Sequence, residues 1–282
     1  MRQVYSKLYL NKYLLLNGKL TLEGSDQMID LHSHILPGID DGAKNLEESL
    51  DMARLAVEEG ITHLLATPHH MNRDWMNEKS KVLIMVKELQ EEIDREGIPL
   101  TLFPGQEIRI YGDVLEDIKK DQLLFTDELQ QYMLIEFPTS SIPTYTERLF
   151  YDLQSNGKTP VIVHPERNRM ILEDPDKLKE LVEHGALAQL TAASYTGGFG
   201  KEIKKLSKQL IDANLVHFIA SDAHNTGNRA FHMKEAHDLI IKDYGRRKWH
   251  EFHQTTKDLI NGDVIIPATP TSVAKKKFFG LF

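Results

Sequence analysis

A chain of 282 residues with 41% hydrophobic and 27% charged side chains has the composition of a globular protein that buries a sizeable core. Its net charge of −8 argues against a general nucleic-acid-binding face, and the absence of cysteine excludes disulfides, thiolate metal sites and cysteine nucleophiles. Any metal must therefore be held by imidazole and carboxylate, which suits Mn, Fe, Zn or Co. No apolar run approaches the ~18 residues of a membrane span, and a cytoplasmic setting is expected.

Residues 1–27 stand apart. Leu14-Leu15-Leu16 is too short and too poorly flanked for a secretory signal, so the segment reads as an expression leader or cloning scar. The alternative is a native extension packed as an extra strand or helix. From Met28 the chain alternates short apolar runs with amphipathic stretches. Strands are expected at Ile29–His32, His63–Thr67, Leu100–Gly105, Tyr132–Phe137, Thr159–His164, Leu187–Thr191 and Val216–Ser221. Most lack strict polar alternation, as strands covered on both faces do. Helices are expected at Leu46–Glu59, Glu78–Gly97, Thr144–Asn156, Pro175–Glu183, Lys201–Asn214, Arg229–Tyr244 and Lys248–Asn261. Leu46, Leu50, Ala53 and Val57 recur at spacings of three and four, and Gly60 stops that helix.

Seven strands with interposed helices predict a parallel α/β sheet, open or closed into a barrel. No repeat or low-complexity linker divides it, so residues 28–270 read as one domain. The tail 271–282 ends in three lysines beside an aromatic-rich terminus. It is either a solvated end or a docking peptide for a partner or membrane surface.

The chemistry lies at the strand ends. His32 and His34 close the first strand, and two residues apart on extended chain they face the same way. Asp40 and Asp41 follow in PGIDDG, His69 and His70 in ATPHH, Glu107 in PGQE, Glu136 in LIEFP, His164 in VIVHPER, and Asp222 and His224 in IASDAH. Parallel α/β folds gather the carboxyl ends of their strands on one side, so these residues converge. Each alone has a bland explanation: a strand-end Asp is usually a helix cap, and a lone HxH is usually structural. Together, uncompensated carboxylates and imidazoles would desolvate and repel at a cost of several kcal/mol. A polynuclear metal centre removes that cost. Alternation allows one of His69 and His70 to face the metals; His69 is preferred, with His70 reaching toward substrate. His63, His184, His232, His237, His250 and His253 lack this placement and read as structural.

The ordered set IDLHSHILPGIDDG, ATPHH, GQEI, IEFP, VHPERN and SDAHN resembles the polymerase and histidinol phosphatase (PHP) superfamily from Met28 to about Tyr244. Within it the chain is similar to the manganese-dependent protein-tyrosine phosphatases of bacterial capsule and exopolysaccharide loci. The resemblance implies a distorted seven-stranded (β/α)7 barrel with three Mn ions. One ion would be held by His32, His34, Glu107 and Asp222, and a second by Asp41, His69 and His224. The third would take Glu107, Glu136 and His164, with Glu107 bridging. Asp41 rather than Asp40 is the family's choice, which residue chemistry cannot decide. A metal-bridged hydroxide would attack phosphorus in line with the departing phenolate, and Arg167 and Arg229 would hold the phosphoryl oxygens. A phosphotyrosine protein, a bacterial tyrosine kinase in particular, is the substrate so implied, and an oligomer is compatible with it. Histidinol-phosphate phosphatase is the nearest alternative. A nuclease finds no basic stripe, and an amidohydrolase would want a carboxylated lysine and a lone late Asp.

Overall fold

A computed structural model describes residues 28–273, together with the backbone of 15–16 and 19–20, which pair antiparallel. The readings of residues 1–27 as a leader and of the lysine-aromatic terminus as a docking peptide fall almost wholly outside the described residues. The strands are β1 (Met28–Ser33), β2 (Ile61–Ala66), β3 (His69–His70), β4 (Thr101–Pro104), β5 (Glu107–Arg109), β6 (Tyr132–Glu136), β7 (Thr159–Val163), β8 (Leu187–Thr191) and β9 (Phe218–Ala220). The longer helices are α1 (Leu46–Glu58), α2 (Lys79–Arg95), α3 (Val114–Lys119), α4 (Thr146–Ser155), α5 (Arg169–Glu173), α6 (Asp176–Glu183), α7 (Ala192–Thr196), α8 (Lys201–Asp212), α9 (Met233–Tyr244) and α10 (Arg246–Asn261). Every expected strand and helix is found, with ends shifted by up to four residues, and β3, β5, α3, α5 and α7 come in addition.

Hydrogen bonding sorts the strands into two parallel sheets, of order β1-β2-β4 and β9-β8-β7-β6-β5-β3, and no single closed ladder forms among the described residues. The division has a local cause. β2 and β4 stop at Thr67-Pro68 and at Gly105-Gln106, where the expected strands end, and the chain resumes in the other sheet as β3 and β5. Pro68 has no N–H to give to a ladder, though its carbonyl accepts from Glu107 at 3.1 Å. A Cβ on Gly105 would lie 2.9 Å from Leu65, so only glycine lets the chains pass this closely. At the other edge a parallel bridge pairs Ser33 with Ala223, and His34 N–H donates to the Ala223 carbonyl at 2.8 Å. The last strand therefore ends beside the first.

Alternation along the strands supplies two cores. Met133 and Ile135 of β6 and Ile162 of β7 pack in the cluster that includes the helices. Tyr132, Leu134, Val161 and Val163 point the other way, into a second cluster with Ile29, Leu31, Leu187 and Phe218. Both sheet faces are thus dry, as the unbroken apolar strands require. Asn45 caps α1 by accepting the Glu48 N–H at 3.0 Å, and Met52, Ala53 and Ala56 bury one face of the helix against this fold.

His217, just ahead of β9, escaped the strand-end pattern because it precedes its strand. Its Nδ1 accepts the Ala188 N–H at 2.9 Å in a buried setting. Burial lowers its pKa from 6.5 to about 4, so the folded protein keeps it neutral where the unfolded chain binds a proton. Its stabilisation is whole above pH 6.5 and is lost as pH falls toward 4. At 1.36 kcal/mol per pKa unit, that loss reaches about 3 kcal/mol. In denaturant titrations at pH 7.5 and 4.5, wild type is expected to lose more stability than His217→Gln by this margin. Equal losses would count against it.

Candidate metal centre

The side chains expected to hold metal meet at the C-terminal ends of the strands. His32 Nε2 and His34 Nε2 lie 3.3 Å apart, each 3.3 Å from Asp222 Oδ1. Glu107 Oε2 is 3.5 Å from His32 Nε2, 3.3 Å from His34 Nε2 and 2.7 Å from His69 Nδ1. Asp41 Oδ1 is 3.3 Å from Nε2 of both His69 and His224. Glu107 Oε1 lies 2.6 Å from His164 Nε2.

What stands behind the imidazoles decides which nitrogen is bare. His32 Nδ1 donates to Gln189 Oε1 at 3.0 Å, His34 Nδ1 to Asp40 Oδ2 at 2.8 Å, and His224 Nδ1 to the Asp222 carbonyl at 2.8 Å. An amide oxygen, a carboxylate and a carbonyl can only accept, so each Nδ1 carries the hydrogen and each Nε2 turns a lone pair to the centre. Asp40 is thereby placed behind His34, also accepting the His69 N–H at 3.1 Å, while Asp41 faces the centre. The loop thus places apart two residues that sequence chemistry could not tell apart.

Two ligand candidates need unusual backbone. Alternation would send His164 outward with Ile162, but it stands in the left-handed region (φ 38°, ψ 48°) and swings inward. Asp222 is also left-handed, with φ 55°. Non-glycine residues so held are strained, and such strain gathers at functional sites.

The residues present fit metal ions. His69 Nδ1, His224 Nε2 and Glu107 Oε2 are buried and make no hydrogen bond, the short contacts above lacking the alignment for one. Among the described residues, four groups offer donor atoms within 4.8 Å of one another: His34, Asp41, His69 and His224; His32, His34 and Asp222; His32, Glu107 and His164; His69, Glu107 and Glu136. Glu136 and His164, expected on one ion, reach Glu107 through separate groups. Burial, and after it the neighbouring charge of Glu107, raise Glu136 to about 7. Burial opposes the ionisation of Asp222, yet Arg167 and the surrounding imidazoles hold it well below the usual carboxylate range.

A cavity of about 300 Å³ opens onto this cluster and is rimmed by three arginines. Arg167 donates to Asp222 Oδ2 at 2.6 Å, and Arg229 reaches Asp41 Oδ2 at 3.1 Å and Asp222 Oδ2 at 3.4 Å. Arg109, which the sequence gave no reason to single out, pairs with Glu136 Oε2 at 2.9 Å. Gln189 and Trp75 were also missed. The signal for Gln189 was there: an amide in the otherwise apolar strand LAQLT needs a buried partner. His70, expected near substrate, is buried away from the cavity on the side of Glu78 and Asp117, where burial lowers its pKa. His63 stacks on Phe103 with centroids 6.0 Å apart, and burial lowers it to about 4, a structural role.

The tyrosine-protein phosphatase YwqE of Bacillus subtilis is 47% identical over 255 residues, covering 90% of this chain and all of that protein. The tyrosine-protein phosphatase CpsB of Streptococcus pneumoniae is 29% identical over 232 residues, covering 79% and 94%. A crystal structure from work on YwqE and CpsB, described as unique metal-dependent tyrosine phosphatases, superposes at a TM-score of 0.85 with 46% identity, covering 88% of this chain and 100% of that one. At 12% identity, a mutant of organophosphorus hydrolase from Deinococcus radiodurans shares the fold at a TM-score of 0.52, covering 83% of this chain and 92% of that one. The family described as capsular polysaccharide synthesis, CpsB/CapC, matches residues 28–261, and the chain belongs to it.

Proposed function

We propose that the chain is a manganese-dependent protein-tyrosine phosphatase acting on phosphotyrosine proteins, a bacterial tyrosine kinase of capsule or exopolysaccharide synthesis among them, in the cytoplasm. The observation that carries this is the set of bared Nε2 atoms of His32, His34 and His224 facing Asp41, Glu107 and Asp222 beneath an arginine-rimmed cavity. The similarity to YwqE and CpsB supports the phosphotyrosine half. The same reading takes the two sheets as one interrupted seven-stranded barrel, supported by the Ser33–Ala223 bridge. It takes residues 28–270 as the catalytic domain, supported by the family match over 28–261, with 1–27 an added extension and 271–282 a basic-aromatic tail.

Three ions would be held by His32, His34, Asp41, His69, Glu107, Glu136, His164, Asp222 and His224. Bound divalent cations make water a nucleophile at neutral pH and offset phosphoryl charge. The protein's own part is orientation. Gln189 and Asp40 fix two imidazole tautomers, and Glu107 joins the groups at their centre. Arg167 and Arg229 present planar forks to the phosphoryl oxygens. Arg229, about a third exposed, is the freer of the two to turn from carboxylate to phosphate. The phenolate leaving group, with a pKa of about 10, departs with less help from an acid than an alkoxide needs.

The test is phosphate release from phosphotyrosine peptides against histidinol phosphate. Manganese-stimulated turnover abolished by chelator is expected, with the peptide preferred; a preference for histidinol phosphate would remove the tyrosine assignment and spare the metal site. Arg229→Ala is expected to raise KM or lower kcat roughly tenfold or more, as the loss of a charge-assisted contact does, with metal content unchanged. Loss of metal in that variant would overturn its role.

A further inference from the structure

We infer that Trp75 selects aryl over alkyl phosphate monoesters by providing the wall on which the leaving aromatic ring lies. The inference rests on the phosphatase reading and names the residue that sets its substrate class. Beyond β3 the chain leaves the sheet at Met71, left-handed at φ 57°, and Trp75 N–H closes a turn onto the Asn72 carbonyl at 3.2 Å. The far end of this excursion is pinned. Buried Asn77 donates to the carbonyls of Ile39 at 3.0 Å and His69 at 2.9 Å, and its own carbonyl accepts from Gln106 at 2.6 Å. Trp75 is therefore presented by a braced loop.

Its indole lies over His69 with centroids 5.3 Å apart and planes inclined by 15°. One face is so used, yet the ring stays half-buried and lines the cavity. The other cavity-lining aromatic, Phe137, is 5% exposed and committed to Phe150, 6.1 Å away. Among the residues that line the cavity, Trp75 is thus the aromatic side chain left open to a ligand above the candidate metal ligands, Phe199 lying outside that lining against Arg167. A stacked or edge-on aromatic partner gains from this ring beyond simple area burial, whereas an alkyl ester has no π face to offer.

The competing role is a buttress that merely holds His69. Calorimetry and turnover on the manganese-loaded protein separate the two. Trp75→Ala is expected to weaken phenylphosphonate binding and to lower kcat/KM for phenyl phosphate, each by up to about tenfold. Methylphosphonate binding and glycerol 2-phosphate turnover should stay within about twofold, manganese content should be unchanged, and Trp75→Phe should recover most of the loss. Equal losses on aryl and alkyl ligands, with or without loss of manganese, would overturn the inference, as would no loss on either. A wild-type protein that turns over no phosphotyrosine peptide would sink the phosphatase reading, and the phosphonate arm would still decide the role of Trp75.

Discussion

Asp222→Asn is expected to lower phosphotyrosine turnover by about a thousandfold and to strip cation from the centre while leaving the fold intact. One carboxylate does two things here. Its Oδ1 lies 3.3 Å from Nε2 of both His32 and His34, and its Oδ2 accepts from Arg167 at 2.6 Å. Removing the charge takes a donor from the cation side and frees Arg167 to hold the wrong geometry on the other. A ligated cation supplies several kcal/mol of charge stabilisation, and at 1.36 kcal/mol per decade about 4 kcal/mol gives the stated loss. Asparagine is the cleaner variant because Asp222 is left-handed, with φ 55°, a conformation that asparagine tolerates better than alanine. His34→Ala should behave alike, its Nε2 being the atom that touches Asp222, Glu107 and His32 together. Bound manganese by mass spectrometry, kcat/KM and circular dichroism make the measurement. Turnover within about tenfold of wild type at full metal content would take Asp222 out of the centre.

Much of this centre was legible because parallel strands must deliver their ends to one side, so His32, Glu107, His164 and Asp222 converge however far apart they are in sequence. Three things were not legible, each for a physical reason. The short strands β3 and β5, which resume the ladder after Thr67-Pro68 and Gly105-Gln106, lie beyond the expected strand ends, because His69-His70 and Glu107 carry no apolar run to announce a strand. Asp40 and Asp41 are chemically the same, and only the path of the loop puts one behind His34 and the other before His69 and His224. The inward turn of His164 runs against strand alternation and depends on a left-handed residue that no pattern signals. Residues that serve the ligands, Gln189 and Arg109 among them, touch the centre through other side chains, and sequence offers only the oddity of a polar group in a buried strand.

Gly42→Ala is expected to be as damaging as loss of a ligand, although Gly42 offers the centre no side chain. A Cβ there would lie 2.0 Å from the His34 carbonyl oxygen and 2.5 Å from the His34 Cβ, inside any tolerable contact. Neither strand nor loop can give way cheaply. His34 N–H is bonded to Ala223 at 2.8 Å, its carbonyl accepts from Ala43 at 3.1 Å, and Gly38 N–H returns to the Ala43 carbonyl at 2.7 Å. Gly42 N–H itself donates to Asp40 Oδ1 at 2.9 Å, so a displaced loop carries off the acceptor that fixes the His34 tautomer and the Asp41 carboxylate with it. Overpacking usually costs about 1–3 kcal/mol, and a clash with backbone belongs at or above the upper end. Losing the groups that orient ligands adds roughly 10- to 100-fold in metal affinity. Denaturant unfolding and manganese titration would read both effects, with Gly112→Ala as the control, since a Cβ at Gly112 meets nothing within 4 Å. Wild-type stability and metal affinity in Gly42→Ala would mean that the loop is not wrapped on His34 as described. Loss in Gly42→Ala but not in Gly112→Ala would show that the ordering of His34, Asp40 and Asp41 depends on a missing side chain.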